Sequence, residues 1–93
     1  MVVGIVKIKI YTPWVHSLKE KRMVVKSICA KVRNNFNTSI AEVEEQDTHQ
    51  TIVLGFSSVT DHTAQADSIL DHIIRYIENN TEGEVFILDR EII

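Results

Sequence analysis

Lys19, Arg22, Lys26 and Arg33 recur along one segment of this 93-residue chain. On a helix, their spacing holds the four cations within a sector of roughly 60°, spread over roughly 21 Å. The chemistry open to such a row is electrostatic. Phosphates on one nucleic-acid strand recur every few ångströms, so a row of this length can meet several at once. Lys21 belongs to the same run but falls within the helix's apolar sector, where a lysine must snorkel or face a partner. The expected phosphate-binding set is therefore Lys19, Lys21, Arg22, Lys26 and Arg33, and the expected partner is RNA or a ribosomal particle. A solvated helix face also carries lysines with no partner at all, so the row permits this function without requiring it.

Other chemistries find less support. His16, His49, His62 and His72 show neither H-x-H nor H-E-x-x-H spacing, so no metal site is expected. Cys29 is the only cysteine, which excludes an internal disulfide and a four-cysteine zinc site and points to a reducing compartment. It lies at the edge of an apolar seam and reads as a packed thiol. Glu42, Glu44, Glu45 and Asp47 cluster, but acid–base work needs geometry and a cleft as well as carboxylates. A solvated acidic strand, with Glu42 or Glu44 facing Lys7 or Lys9, is the expected arrangement. Three glycines are too few to build a phosphate loop or a nucleophile elbow. No enzyme activity and no cofactor are expected.

Composition bounds the class. Apolar residues make up 44% and charged residues 25%, as in an ordinary globular domain. The length fits one domain over residues 1–93. Lys7 and Lys9 interrupt the first apolar run too early for a signal peptide or a membrane span, so a cytoplasmic, non-membrane protein is expected. The net charge of −3 hides an asymmetry. Residues 1–36 carry eight Lys/Arg against Glu20 alone, a net of +7, whereas residues 37–93 carry a net of −10. Such a division is a cue for an anionic partner, unless the halves neutralise each other on folding.

The elements that must position these residues follow from periodicity. Residues 2–11 alternate Val6, Ile8 and Ile10 against Lys7 and Lys9, the mark of a half-buried strand, and Pro13 stops it. Ser17-Leu18-Lys19-Glu20 is a capping box. Leu18, Val25, Ile28, Cys29, Val32 and Phe36 then share one side of a helix over 18–34. Residues 38–46 and 50–60 form two strands around Asp47-Thr48-His49 as a turn. Asp61 or Thr60 is expected to cap a second helix, whose buried face is Ala66, Ile69, Leu70, Ile73, Ile74 and Ile77. Residues 84–92 make the last strand.

The order β-α-β-β-α-β predicts an α+β, ferredoxin-like domain: a four-stranded antiparallel sheet with two helices on one face. That layout leaves the other sheet face open. Strands 50–60 and 84–92 are apolar on both faces, and a large uncovered patch is unusual on a monomer. A homo-oligomer, most simply a dimer, is expected through Val3, Ile5, Phe56 and Phe86. As a protein–protein interaction module of this kind, the domain would need no catalysis. Lys7, Lys9, Tyr11 and Phe56 also imitate a base-stacking sheet, but the aromatic-and-glycine signature of RNA-recognition strands is absent from QTIVLGFSSV.

Ser17-Leu18-Lys19-Glu20-Lys21-Arg22, Phe36-Asn37, Ala41-Glu42-Val43, Gln46-Asp47, Gln50 and Leu54-Gly55 together resemble the YlxP-like family of short bacterial proteins, a domain of unknown function. The resemblance spans the chain, and the S-L-K-E-K-R run is its most specific element. It implies a ferredoxin-like fold. It also implies genes placed among those for transcription termination, translation initiation and ribosome maturation, hence an RNA- or ribosome-associated role. It carries no catalytic residues. One departure stands out: members often hold a tryptophan before the glutamine matching Gln50, where this chain has His49 and places Trp14 in its first loop instead.

Overall fold

Alternation in the first strand fixes the two faces of the sheet. Val6, Ile8 and Ile10 are fully buried, while Ile5, Lys7 and Lys9 point the other way. The computed structural model describes residues 1–93 as β1 (Val2–Tyr11), α1 (Leu18–Asn35), β2 (Ser39–Glu44), β3 (Thr51–Thr60), α2 (Thr63–Asn79) and β4 (Glu84–Ile92). The sheet order is β2-β3-β1-β4, and every neighbouring pair is antiparallel. This is the ferredoxin-like architecture expected from the periodicity, with both helices on the face that carries Val6, Ile8 and Ile10. Buried side chains of three further elements meet those of β1 there: Ile52, Leu54 and Phe56 from β3, Ile28, Cys29 and Val32 from α1, and Leu70, Ile73, Ile74 and Ile77 from α2. Burying each such aliphatic side chain contributes about 1.5–3 kcal/mol.

Local signals set the helix ends. Ser17 is the N-cap of α1, with its hydroxyl accepting from the Glu20 N–H at 3.0 Å. The reciprocal half of the capping box is displaced by one residue: Glu20 accepts at 3.5 Å from the His16 N–H and not from that of Ser17. The second helix departs from expectation. Its N-cap is His62, with no side-chain cap, because the Thr60 hydroxyl donates instead to the His62 carbonyl at 2.9 Å. A cap must sit one residue before the first helical turn, and neither Thr60 nor Asp61 does.

Register also corrects the open-face reading. Phe56 pairs with Val6 and Ile40, so it faces the helices and is only 3% exposed. It belongs to the core and cannot form an oligomer interface or a stacking platform by its ring. The period of two decides this: Val3 and Ile5 lie on odd positions of β1, whereas the partner of Phe56 lies on an even one. Phe86 does lie on the open face, opposite Lys9, whose Nζ sits 5.2 Å from the ring centroid. A bulge in β4 leaves Leu88 out of the pairing between Ile87 and Asp89, and Ile87 and Leu88 are both about half exposed. Gly83 must be glycine for packing: a Cβ there would stand 2.5 Å from Ile10 Cγ2 and 2.7 Å from the Tyr11 carbonyl oxygen. That contact seats the start of β4 against β1.

Candidate nucleic-acid interface

Helix α1 packs its apolar side onto β2, so its two flanks diverge: one lies toward the β2 edge, the other toward the turn between α2 and β4. Lys19, Arg22 and Lys26 stand exposed on the outer face and the first flank, and none has a carboxylate oxygen within 4.0 Å. Arg33 closes the row but is partly engaged. Its Nη2 donates to the Ile40 carbonyl at 2.7 Å, occupying an acceptor on edge strand β2 and so blunting that edge.

Lys21 is a correction. It is 1% exposed and points inward, where its Nζ donates to the Glu45 carbonyl and, at 2.7 Å, to the Thr48 carbonyl. Glu42 Oε2 lies 3.0 Å away as an ion-pair partner, though not as an aligned hydrogen bond. A lysine in an apolar helical sector had to find a partner, and it finds one inside the same molecule. It therefore cannot meet a phosphate. What it does is hold the β2–β3 turn against α1, at the point where Glu45 adopts a left-handed φ of 60°. The surviving set is Lys19, Arg22 and Lys26, with Arg33 at one end.

The acids do little to quench this row. Glu42 is used by Lys21, and Glu44 meets Lys7 across the open face at 2.9 Å. Those are the two ion pairs between the basic and acidic parts of the chain; the other cluster, Arg90 with Asp71 at 2.6 Å and Asp67 at 3.2 Å, ties β4 to α2. The hydrogen bonds that Arg90 donates, to Asp71 above all and to Asp67, raise its guanidinium above its ordinary value. Burial raises the Cys29 thiol, opposed by nearby Arg33 and reinforced by Glu42.

Two concavities exist. One, of about 400 Å³, lies on the second flank of α1 between Trp14, Met23 and Ser27 and the turn at Asn80–Glu82. Sequence reasoning missed it, although Lys19, Met23, Ser27 and Lys31 form an i, i+4 row that could have disclosed it. The other, of about 420 Å³, is a trough in the open sheet face. Small residues Ser39, Ala41, Gly55 and Ser57 floor it, and Val3, Ile5 and Val43 wall it. Val3 and Ile5 thus lie where the sequence placed them, Phe86 lies farther along the same face, and Phe56 borders the trough although its side chain is buried in the core on the helix side. No group of three His, Cys, Asp or Glu side chains is placed to hold a metal ion. No helix is long and apolar enough to cross a membrane.

Comparison with known proteins agrees with this architecture. Residues 3–90 match the family described as "Protein of unknown function (DUF503)". The chain is 40% identical over 68 residues to the "Uncharacterized protein YlxP" of Bacillus subtilis (strain 168), covering 73% of this chain and 74% of that one. The likeness read from the S-L-K-E-K-R run and the positions after it is thereby borne out. Among solved structures, a de novo designed protein with a ferredoxin fold superposes with a TM-score of 0.61 at 20% identity, covering 99% of this chain and 85% of that one. The designed protein Foldit4 gives 0.50 at 15% identity, covering 99% and 94%. Likeness at that identity speaks to the fold alone.

Proposed function

Because the chain belongs to the DUF503 family, whose description assigns no chemistry, we propose from geometry that it is a non-catalytic accessory protein that binds structured RNA, free or in a ribosomal particle, through α1. One observation carries this reading. Lys19, Arg22 and Lys26 stand together, exposed and without ion-pair partners, in a chain whose net charge is −3. A negatively charged protein that keeps three cations unneutralised on one helix retains a local attraction for phosphate that its sum of charges conceals. The gene neighbourhood implied by the family resemblance points the same way.

Three phosphate contacts give an affinity that falls with salt at a log–log slope of about −2 to −3. The test is RNA binding, or co-sedimentation with ribosomal subunits, at two salt concentrations. Arg22→Ala with Lys26→Ala should flatten the slope by about 2, and reversal of both to glutamate should abolish binding. Binding that survives the reversal overturns the proposal.

A second reading rests on a different observation, the trough in the open sheet face and the exposed apolar side chains beside it, including Val59 at 63% and Phe86 at 40%. It makes that face the contact between two copies of the chain. The two readings use opposite layers of the domain and do not compete for surface.

A further inference from the structure

The concavity on the second flank of α1 has the make-up of a base-binding pocket. Its helical wall includes Met23, Ser27 and Lys31; the exposed Lys19 lies one helical turn before Met23, just beyond the lining, so lysines stand toward both ends of the pocket over roughly 18 Å. Trp14 closes one side and is 38% exposed, so part of its ring remains open to a ligand. Glu82 lies on the opposite rim with no cation within 4.0 Å, and neither does Lys31 have a carboxylate partner. About 400 Å³ is within the range of small-ligand sites. An aromatic face favours a flat ring, and a carboxylate accepts from a ring's amino group. Glu20 and Glu82 repel a phosphate from the interior, while Lys31 on the rim and the exposed Lys19 one turn beyond the other end attract phosphates outside it.

We propose that this pocket takes a single unpaired, amino-bearing nucleobase stacked on Trp14, with the flanking phosphates over Lys19 and Lys31. The inference rests on the RNA-binding reading and refines it: the preferred target is a loop, bulge or single strand rather than continuous duplex. Sequence-selective RNA recognition exploits unstacked bases in this manner.

Trp14 is the chain's only tryptophan, so its fluorescence reports on this pocket alone. The experiment titrates the full chain with cytidine oligomers, uridine oligomers and a blunt RNA duplex of equal charge. Tryptophan emission and the anisotropy of end-labelled RNA are followed together. Cytidine oligomers should quench the emission to saturation, uridine oligomers less, and duplex hardly at all. Trp14→Ala should weaken cytidine-oligomer binding by about tenfold or more and leave the salt slope unchanged, because no charge is lost. Ser27→Phe, at an exposed position, should block the pocket to the same extent should the tryptophan variant fold poorly. Saturating anisotropy with unaltered tryptophan emission, or full affinity in both variants, overturns the pocket and leaves the cationic row standing. Equal quenching by uridine and cytidine oligomers overturns the role of the carboxylate and with it the proposal for an amino-bearing base. Absence of any anisotropy change overturns the RNA reading itself, and the pocket falls with it.

Discussion

Lys21 shows how a single side chain can be legible and still be assigned to the wrong partner. Its position in the apolar sector of α1 is plain from the sequence, and so is its need for company. Its partners are not, because they lie 21 to 27 residues away in a turn that only the register of β2 on β3 brings under the helix. Removing the ammonium leaves Glu42 largely buried without compensation and frees two carbonyls. Lys21→Met is therefore expected to cost about 3 kcal/mol, lowering Tm by more than about 10 °C in a domain of this size. Adding Glu42→Gln should restore part of the loss. A drop under about 1 kcal/mol in urea unfolding would mean the lysine is not enclosed as described. Cys29 makes a pH statement at the same scale. Burial holds the thiol above its ordinary range in the folded chain, so on raising the pH the unfolded chain releases that proton first. The contribution is fully present below the unfolded value, about 8.5, and is lost as the pH climbs from there through the folded value, with a slope of at most about 1.4 kcal/mol per pH unit. Unfolding at pH 8 and pH 10 should show a steeper alkaline decline in the wild type than in Cys29→Ala; parallel curves would remove the effect.

Element boundaries were readable because local chemistry and packing agree over most of the chain. Val2–Tyr11 and Glu84–Ile92 keep the bounds expected from their β-branched, apolar runs, and α1 runs one residue past its expected 18–34. The acidic strand is shorter than its 38–46 pattern, Ser39–Glu44, because its register shifts between Glu42 and Glu44 and Glu45 turns left-handed. Bulges of this kind depend on cross-strand partners and leave no mark in a single strand's pattern. The start of α2 differs from expectation for a related reason: Thr60 and Asp61 are good capping residues by type, but β3 continues through Thr60 and leaves His62 at the cap position. His62 has the extended backbone of an N-cap, φ −131° and ψ 144°, without an acceptor to satisfy the first turn. His62→Ser supplies one. A gain of about 0.5–1 kcal/mol is expected, a rise in Tm of about 2–8 °C, and an unchanged Tm would show that water already serves those N–H groups equally well.

At the scale of the molecule, the division of charge along the chain does not vanish on folding. Only Lys7 and Lys21 of the first thirty-six residues form ion pairs with acids of the remainder, so folding brings the halves together without pairing most of their charges. The extents of 42 × 22 × 17 Å describe an elongated two-layer body, with the cations of α1 on one layer and the trough around Ile5 on the other. The two layers are legible in the alternation of β1, which sets Val3 and Ile5 opposite Val6, Ile8 and Ile10; the side that Phe56 takes is not, because it depends on the register of β3 on β1. The separation of the layers has a consequence for assembly. If two copies meet through their troughs, the helical layers face outward in opposite directions, and a dimer presents two separate cationic rows to one large RNA. Linking two sites in this way raises apparent affinity without any new contact, provided the RNA spans both. Ile5→Glu places a carboxylate on the trough wall while leaving the core and α1 untouched. Light scattering should then report a monomer where the wild type is a dimer. Binding to a short RNA that fits one row should be unchanged, whereas binding to a long RNA should weaken by at least about tenfold. A wild-type chain that stays monomeric at high concentration would eliminate the trough as a self-contact, and equal losses on short and long RNA would show that Ile5 acts through α1 after all.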